Sequence, residues 1–298
     1  MRRTPILVFL LLAMSSSLAQ GALPAYILQL PESVSDVFIA DTGTATIYRY
    51  EQTTSGVNLG HEGYMSIGRQ GVGKDRAGDR RTPLGVYFVV DQRDSDTMHE
   101  KYGVTAFPLD YPNVWDRKQA RTGAGIWVHG VLPNEGQRPP LDTDGCIALP
   151  NKDLAALKDR FVPLVTPVIV TREMHWQDAG SIAALRSELN LAIKAWAKHY
   201  GEANLHAYLS MYADNFSYRG MQSSEWASFR VQTLERRGVV NIAVDDLLLL
   251  ADPEEDGLFL SRFHETMSGS GVASRTIKRL YWRRNDEGEL RIVAEDNG

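Results

Sequence analysis

Apolar residues recur with two different periods along this chain, and the change comes near residue 175. From Ser35 onward they fall in short runs broken by turn residues. "DVFIADTGTATIYRYE" sets two β-rich runs around Asp41-Thr42-Gly43, "TPLGVYFVVDQ" follows a turn with an apolar run, and "GAGIWVHGV" is a short run bounded by glycines. "NKDLAALKDRF" interrupts them as a helix, with Leu154, Leu157 and Phe161 on one face and Asn151 as its cap. "PLVTPVIVTRE" returns to strand and ends near Glu173. Past "HWQDAG" the spacing lengthens to three and four: Ile182, Leu185, Leu189, Ile193, Trp196 and Tyr200 mark one face of a long amphipathic helix. "ANLHAYLSMY" reads as a second helix. "SSEWASFRVQTLERRG" reads as a third, started by Ser223, Ser224 and Glu225 and stopped by Gly238. Four strand-like runs close the chain: "VVNIAVDDLLLL", "GLFLSRFHETMSG", "ASRTIKRLYWRR" and "ELRIVAED". The fold class is therefore α+β, with a β-rich domain over residues 35–173 and a second domain over 178–298 whose helices cover an antiparallel sheet. No internal repeat or low-complexity linker interrupts them. The length agrees, at roughly 150 residues per domain.

The first twenty residues belong to neither domain. Arg2 and Arg3 precede a nine-residue apolar run, Ile6 to Met14, and Ser17-Leu18-Ala19 has the small-x-small pattern of a signal-peptidase site. Nine apolar residues are too few for a membrane span, which takes roughly 20. A cleavable secretory signal over residues 1–19 is expected, with no later span, and hence a mature protein in a bacterial periplasm. Cleavage removes two of the 32 basic residues and none of the 37 acidic ones, leaving a net charge near −7. No basic cluster forms a nucleic-acid footprint, so that partner class is not expected.

Export makes the single cysteine, Cys146, informative, since exported proteins use cysteines in disulfide pairs and one alone pairs with nothing in the chain. It reads either as a small buried apolar residue or as a nucleophile. "GRQGVGKD" approaches a phosphate-binding loop, but Asp75 stands where Ser or Thr holds magnesium, and a turn follows instead of a helix. The histidines at 61, 99, 129, 175, 199, 206 and 264 form no metal-ligand pattern, and one thiol builds no thiolate cluster, so no metal or other cofactor is expected. His264, in a strand, reads as a surface or satisfied core residue. His129 and Cys146 remain. His129 ends the run "GIWVH", and Cys146 follows seventeen residues later, both where strand gives way to loop. An imidazole beside the thiol lowers its pKa and keeps it ionised for attack. Gly145 permits a tight turn whose N–H, with that of Cys146, faces a developing oxyanion.

"HGV" followed by "TDGCIAL" resembles the catalytic signature of the L,D-transpeptidase (YkuD) family: His-Gly, a loop, then Ser/Thr-x-Gly-Cys and an aliphatic residue. "DTGTATIYRYE" is similar to that family's first hairpin, "GDRRTPLGVYFV" to its Thr-Pro-x-Gly turn and "YPNVWD" with "GAGIWVHG" to its approach to the histidine. The resemblance spans roughly residues 35 to 172. It is strongest to the branch that trims or releases peptidoglycan stem peptides, in which a nuclear-transport-factor-2-like domain can follow. The second half resembles such a cone of helices on a curved antiparallel sheet. The resemblance implies that Cys146 attacks the carbonyl of meso-diaminopimelate in a tetrapeptide stem, that Gly145 and Cys146 supply the oxyanion hole, and that His129, held by the Gly130 carbonyl, protonates the departing D-alanine. Two positions depart from it. Ala148 stands where many cross-linking members have Arg, removing a carboxylate clamp, and Asp144 stands where many have His or Asn. Arg69, Arg80, Arg81 and Arg121 are the available replacements, although each also reads as a solvated charge. Thr143, Asp144 and Arg121 are the expected substrate-binding residues. Trimming of tetrapeptide to tripeptide by water is favoured, with L,D cross-linking or protein–peptidoglycan attachment as one alternative and non-catalytic wall binding as another. The second domain is expected to hold stem peptide, glycan or a protein partner beside the cysteine.

Overall fold

The computed structural model describes residues 22–269 and 271–298; the expected leader over residues 1–19 lies outside them. In the first domain a five-stranded sheet runs in the order Gly56–Tyr64, Thr46–Thr53, Asp36–Asp41, Pro167–Thr171, Gly85–Phe88. Only the pairing of Asp36–Asp41 with Pro167–Thr171 is parallel. A second sheet, ordered Ile147–Ala148, Trp127–His129, Thr105–Pro108, Arg93–Asp94, packs across it. The rings of Phe38, Phe161 and Phe107 stack between them, at centroid spacings of 3.8 and 4.7 Å.

The second domain has a sheet ordered Ile27–Gln29, Asn241–Ala251, Leu258–Gly269, Val272–Arg284, Leu290–Asp296, antiparallel throughout. The helices Ala179–Gly201, Leu205–Leu209 and Ser223–Arg237 cover one face. The expected stripe on the long helix is buried at Ile182, Leu189, Ile193, Trp196 and Tyr200, with Leu185 half-buried against the same core. Asp178 caps this helix, its carboxylate accepting from the Ser181 amide at 2.9 Å. Two starts differ from expectation. The third helix is closed by Glu225, which reaches back to the Gln222 amide at 3.1 Å. Asn151 does not cap its helix, which begins after Pro150; its side chain is engaged elsewhere.

The two domains share a core. Val37, Ile39, Val86, Phe88 and Ile169, on the outer face of the first sheet, and Trp115 of the short helix Val114–Lys118 pack against Leu248, Leu250, Leu258, Leu260, Tyr281 and Val293 of the second. Phe38, Tyr87 and Val168 alternate with them and point inward. A strand covered on both faces reads as an unbroken apolar run, which is why Asp36–Asp41 is buried at every position. Residues 22–34 cross the boundary between domains: Ala22–Pro24 pairs with Trp176–Asp178, and Ile27–Gln29 adds an edge to the second sheet. No helix among the described residues is long and apolar enough to span a membrane.

Candidate active site

His129 ends one strand, and Cys146 immediately precedes the neighbouring parallel one, Ile147–Ala148. The register sets Val128 against Ile147 and His129 against Ala148, so Cys146 enters its strand one residue before the pairing begins. Ile147 points into the core, and the alternation turns Cys146 away from it, into a cleft of about 380 Å³. The cleft is lined by His129, Cys146, Gly125, Tyr102 and the charged residues described below.

The imidazole is buried, and its Nδ1 lies 2.5 Å from the Gly130 carbonyl oxygen. A carbonyl only accepts, so Nδ1 carries the proton and, in the neutral ring, Nε2 is the free base. Burial holds the imidazole pKa down to about 4; the Gly130 bond opposes this, and the charges of Arg138 and Lys101 add to it. Burial likewise raises the Cys146 thiol above its ordinary value, with Asp144 adding to the rise and the Trp127 amide, Lys101 and Lys74 opposing it. Burial thus disfavours the charged form of both groups, where the sequence leads one to expect an imidazole that keeps the thiol ionised. The thiol donates to the Gly125 carbonyl at 3.4 Å.

The turn before the cysteine is braced from within. The Thr143 hydroxyl donates to the Cys146 carbonyl at 2.7 Å and accepts from the Gly145 amide at 3.1 Å. Both expectations for these residues change. Thr143 is a buried brace for the loop, since its hydroxyl is engaged in both directions, and the Gly145 N–H is committed to that hydroxyl instead of facing an oxyanion. Gly145 is required for its backbone: its φ is +122°, and a Cβ there would sit 2.7 Å from the Arg81 carbonyl oxygen. Its own carbonyl accepts from the buried Thr82 hydroxyl at 2.9 Å, which in turn accepts from the Gly68 amide at 2.9 Å. The Thr-Pro-x-Gly turn therefore buttresses the cysteine loop.

Asn151 does the same for the histidine. Its side chain accepts from the Val131 amide at 3.0 Å and donates to the Val131 carbonyl at 2.8 Å, pinning the chain just past Gly130. A Cβ on Gly130 would meet the Asn151 Oδ1 at 2.2 Å, so this clamp closes only over glycine. Tyr102 packs its ring edge-on against His129, 5.1 Å between centroids. Thr82, Asn151 and Tyr102 were not singled out from sequence for this site; each acts across distances no local pattern encodes.

Asp144 stays at the cleft, exposed, with Arg69 3.1 Å and Arg80 3.7 Å away. Arg121 is elsewhere. It pairs with the buried Asp116 at 3.1 Å and approaches Glu255 of the second domain at 3.8 Å. It lines a different cavity, of about 420 Å³, with Lys74, Arg172 and Glu254, and the linings of the two cavities share no residue. A buried carboxylate requires a counter-charge, and Asp116 claims the guanidinium. Among the described residues no group of three or more His, Cys, Asp or Glu is arranged to hold a metal.

Residues 35–170 match the family model of the L,D-transpeptidase catalytic domain, YkuD. The first domain belongs to that family. Residues 188–296 match the Cds6 C-terminal NTF2-like domain, so the L,D-transpeptidase domain is followed by an NTF2-like one. Among solved structures, the chain is similar to Bd1075 of Bdellovibrio bacteriovorus, with a TM-score of 0.78 at 20% identity over 93% of this chain and 98% of that one. It is also similar to the helical cell shape determining protein Pgp2 of Campylobacter jejuni, with a TM-score of 0.76 at 23% identity over 92% and 94%. At such identities the likeness establishes the shared two-domain fold. No curated protein matches the chain.

Proposed function

We propose that this protein is a periplasmic L,D-carboxypeptidase that removes the terminal D-alanine from tetrapeptide stems of peptidoglycan, exported by its leader over residues 1–19. The observation that carries the reading is one open cleft lined by both the Cys146 thiol and an imidazole whose Nδ1 proton is held by the Gly130 carbonyl. Nε2 of His129 takes the thiol proton as Sγ bonds to the carbonyl carbon of the L-centre of meso-diaminopimelate. The Cys146 N–H is the donor assigned to the oxyanion, now without that of Gly145. Collapse breaks the C–N bond, and the imidazolium returns its proton to the leaving nitrogen. Water then attacks the thioester, giving a proton to Nε2, and the released sulfur recovers it.

Hydrolysis is favoured over cross-linking because Ala148 supplies no guanidinium at the motif. The proposed boundaries are a catalytic domain over 35–173 and an accessory domain over 178–298, the latter holding stem peptide, glycan or a protein partner near the cleft. Likeness in fold to the helical cell shape determining protein Pgp2 motivates the further proposal that trimming here acts on cell shape. The test is incubation of purified tetrapeptide muropeptides with the native protein and with Cys146→Ala, followed by mass spectrometry. Loss of one D-alanine by the native protein alone is expected. A dimeric product would instead mean cross-linking, and an unchanged substrate a binding protein.

A further inference from the structure

Three cations with unequal surroundings line the cleft. Arg69 is held by Asp144 at 3.1 Å, and Arg138 by Glu135 at 3.2 Å and Asp142 at 3.5 Å. Lys101 has no carboxylate within ion-pair distance among the described residues. Its ammonium lies instead 4.8 Å above the Tyr102 ring, the ring that meets His129 edge-on. Its charge is felt at both reacting groups, lowering the imidazole and the thiol alike. The cleft therefore presents one positive charge that has no carboxylate partner, and presents it in the cleft that holds the general acid.

We propose that Lys101 binds the terminal carboxylate of the departing D-amino acid and so makes the enzyme select stems that end at that residue. This rests on the trimming reading above. In a C-terminal amino acid the scissile nitrogen and the carboxylate are carried by the same carbon. The cation that holds the carboxylate must then share the cleft with the imidazole that protonates the nitrogen, as Lys101 does, with Tyr102 touching both. Taking up a carboxylate releases only a cation–π contact from Lys101, whereas Arg69 or Arg138 would surrender an existing ion pair. Ala148, buried beside His129, offers no competing charge. A stem continuing beyond the scissile bond brings an uncharged amide to this point and leaves the ammonium unmatched, which disfavours internal cleavage.

The experiment compares a tetrapeptide muropeptide with its C-terminal amide on the full native chain, Lys101→Met and Lys101→Arg. The native protein should prefer the acid by about 10–100-fold in kcat/KM, the range of one charge-assisted contact. Lys101→Met should lose that preference by raising KM for the acid alone, and Lys101→Arg should keep most of it. An acid-to-amide ratio in Lys101→Met equal to the native one overturns the assignment, as does an equal loss on both substrates, the mark of a structural role. Calorimetry on the Cys146→Ala chain reads the same contact without turnover. Native protein that releases no D-alanine defeats the trimming reading; acid and amide bound alike by Cys146→Ala defeats the Lys101 assignment.

Discussion

His129 is neutral because it is buried, and that has a consequence for stability. Its pKa is about 4 in the folded protein against an ordinary value near 6.5, so the unfolded chain takes up the proton first as pH falls. The stabilisation is complete above about pH 6.5 and is lost as pH drops towards 4, up to about 3 kcal/mol in all. Urea melts of the native chain and His129→Gln at pH 7.5 and 4.5 should differ in slope with pH, the variant losing less on acidification. Equal losses would show that the imidazole is not the group responsible. Thr82→Val keeps the side-chain shape but leaves the Gly68 amide and the Gly145 carbonyl without their buried partner. It should cost about 2–4 kcal/mol and slow alkylation of Cys146 by iodoacetamide relative to native protein; unaltered alkylation would remove Thr82 from the site.

At the scale of elements, the strand Asp36–Asp41 carries the lesson. Its sequence DVFIAD is apolar enough to be strand, yet nothing in it says which residues face which neighbour. Phe38 and Ala40 face the first domain's core, while Val37 and Ile39 face the second domain's sheet. Ile39→Ala should therefore loosen the contact between domains, lowering stability by about 2–5 kcal/mol as a buried cavity does. The same face implies that a chain ending at residue 174 exposes Val37, Ile39, Val86, Phe88 and Ile169 together. Such a fragment should aggregate or bind a hydrophobic dye when expressed alone. A monomeric fragment with the native melting temperature would contradict this.

At the scale of the whole molecule the two sheets act as one layered body. Arg279 of the second domain reaches Asp110 of the first at 2.5 Å while holding its own Asp296 at 2.6 Å. Trp115 donates to Glu255 at 2.9 Å across the same boundary. Burial at this seam predicts a single cooperative unfolding transition, since neither sheet keeps its apolar face covered once the other is gone. Arg279→Met strands two carboxylates and should lower stability by about 3–5 kcal/mol; Leu260→Asp should split the calorimetric transition into two. A native protein already melting in two steps would mean that the seam is not the stabilising element it is taken to be.

The sequence by itself determined what depends on neighbours along the chain. The change of period divided the molecule into its β-rich and α+β parts, the helical stripe named its own buried residues, and the motif around Cys146 led to His129 and to the family. Tertiary structure alone decided what depends on neighbours through space. It moved Arg121 to a buried carboxylate and turned the Gly145 amide towards Thr143. It made Asn151 a clamp on the histidine loop, and it left Lys101 over the Tyr102 ring with no carboxylate partner among the described residues. The reason is common to all of these: a side chain's charge state and partners are set by what surrounds it, and those surroundings come from segments far away in the chain.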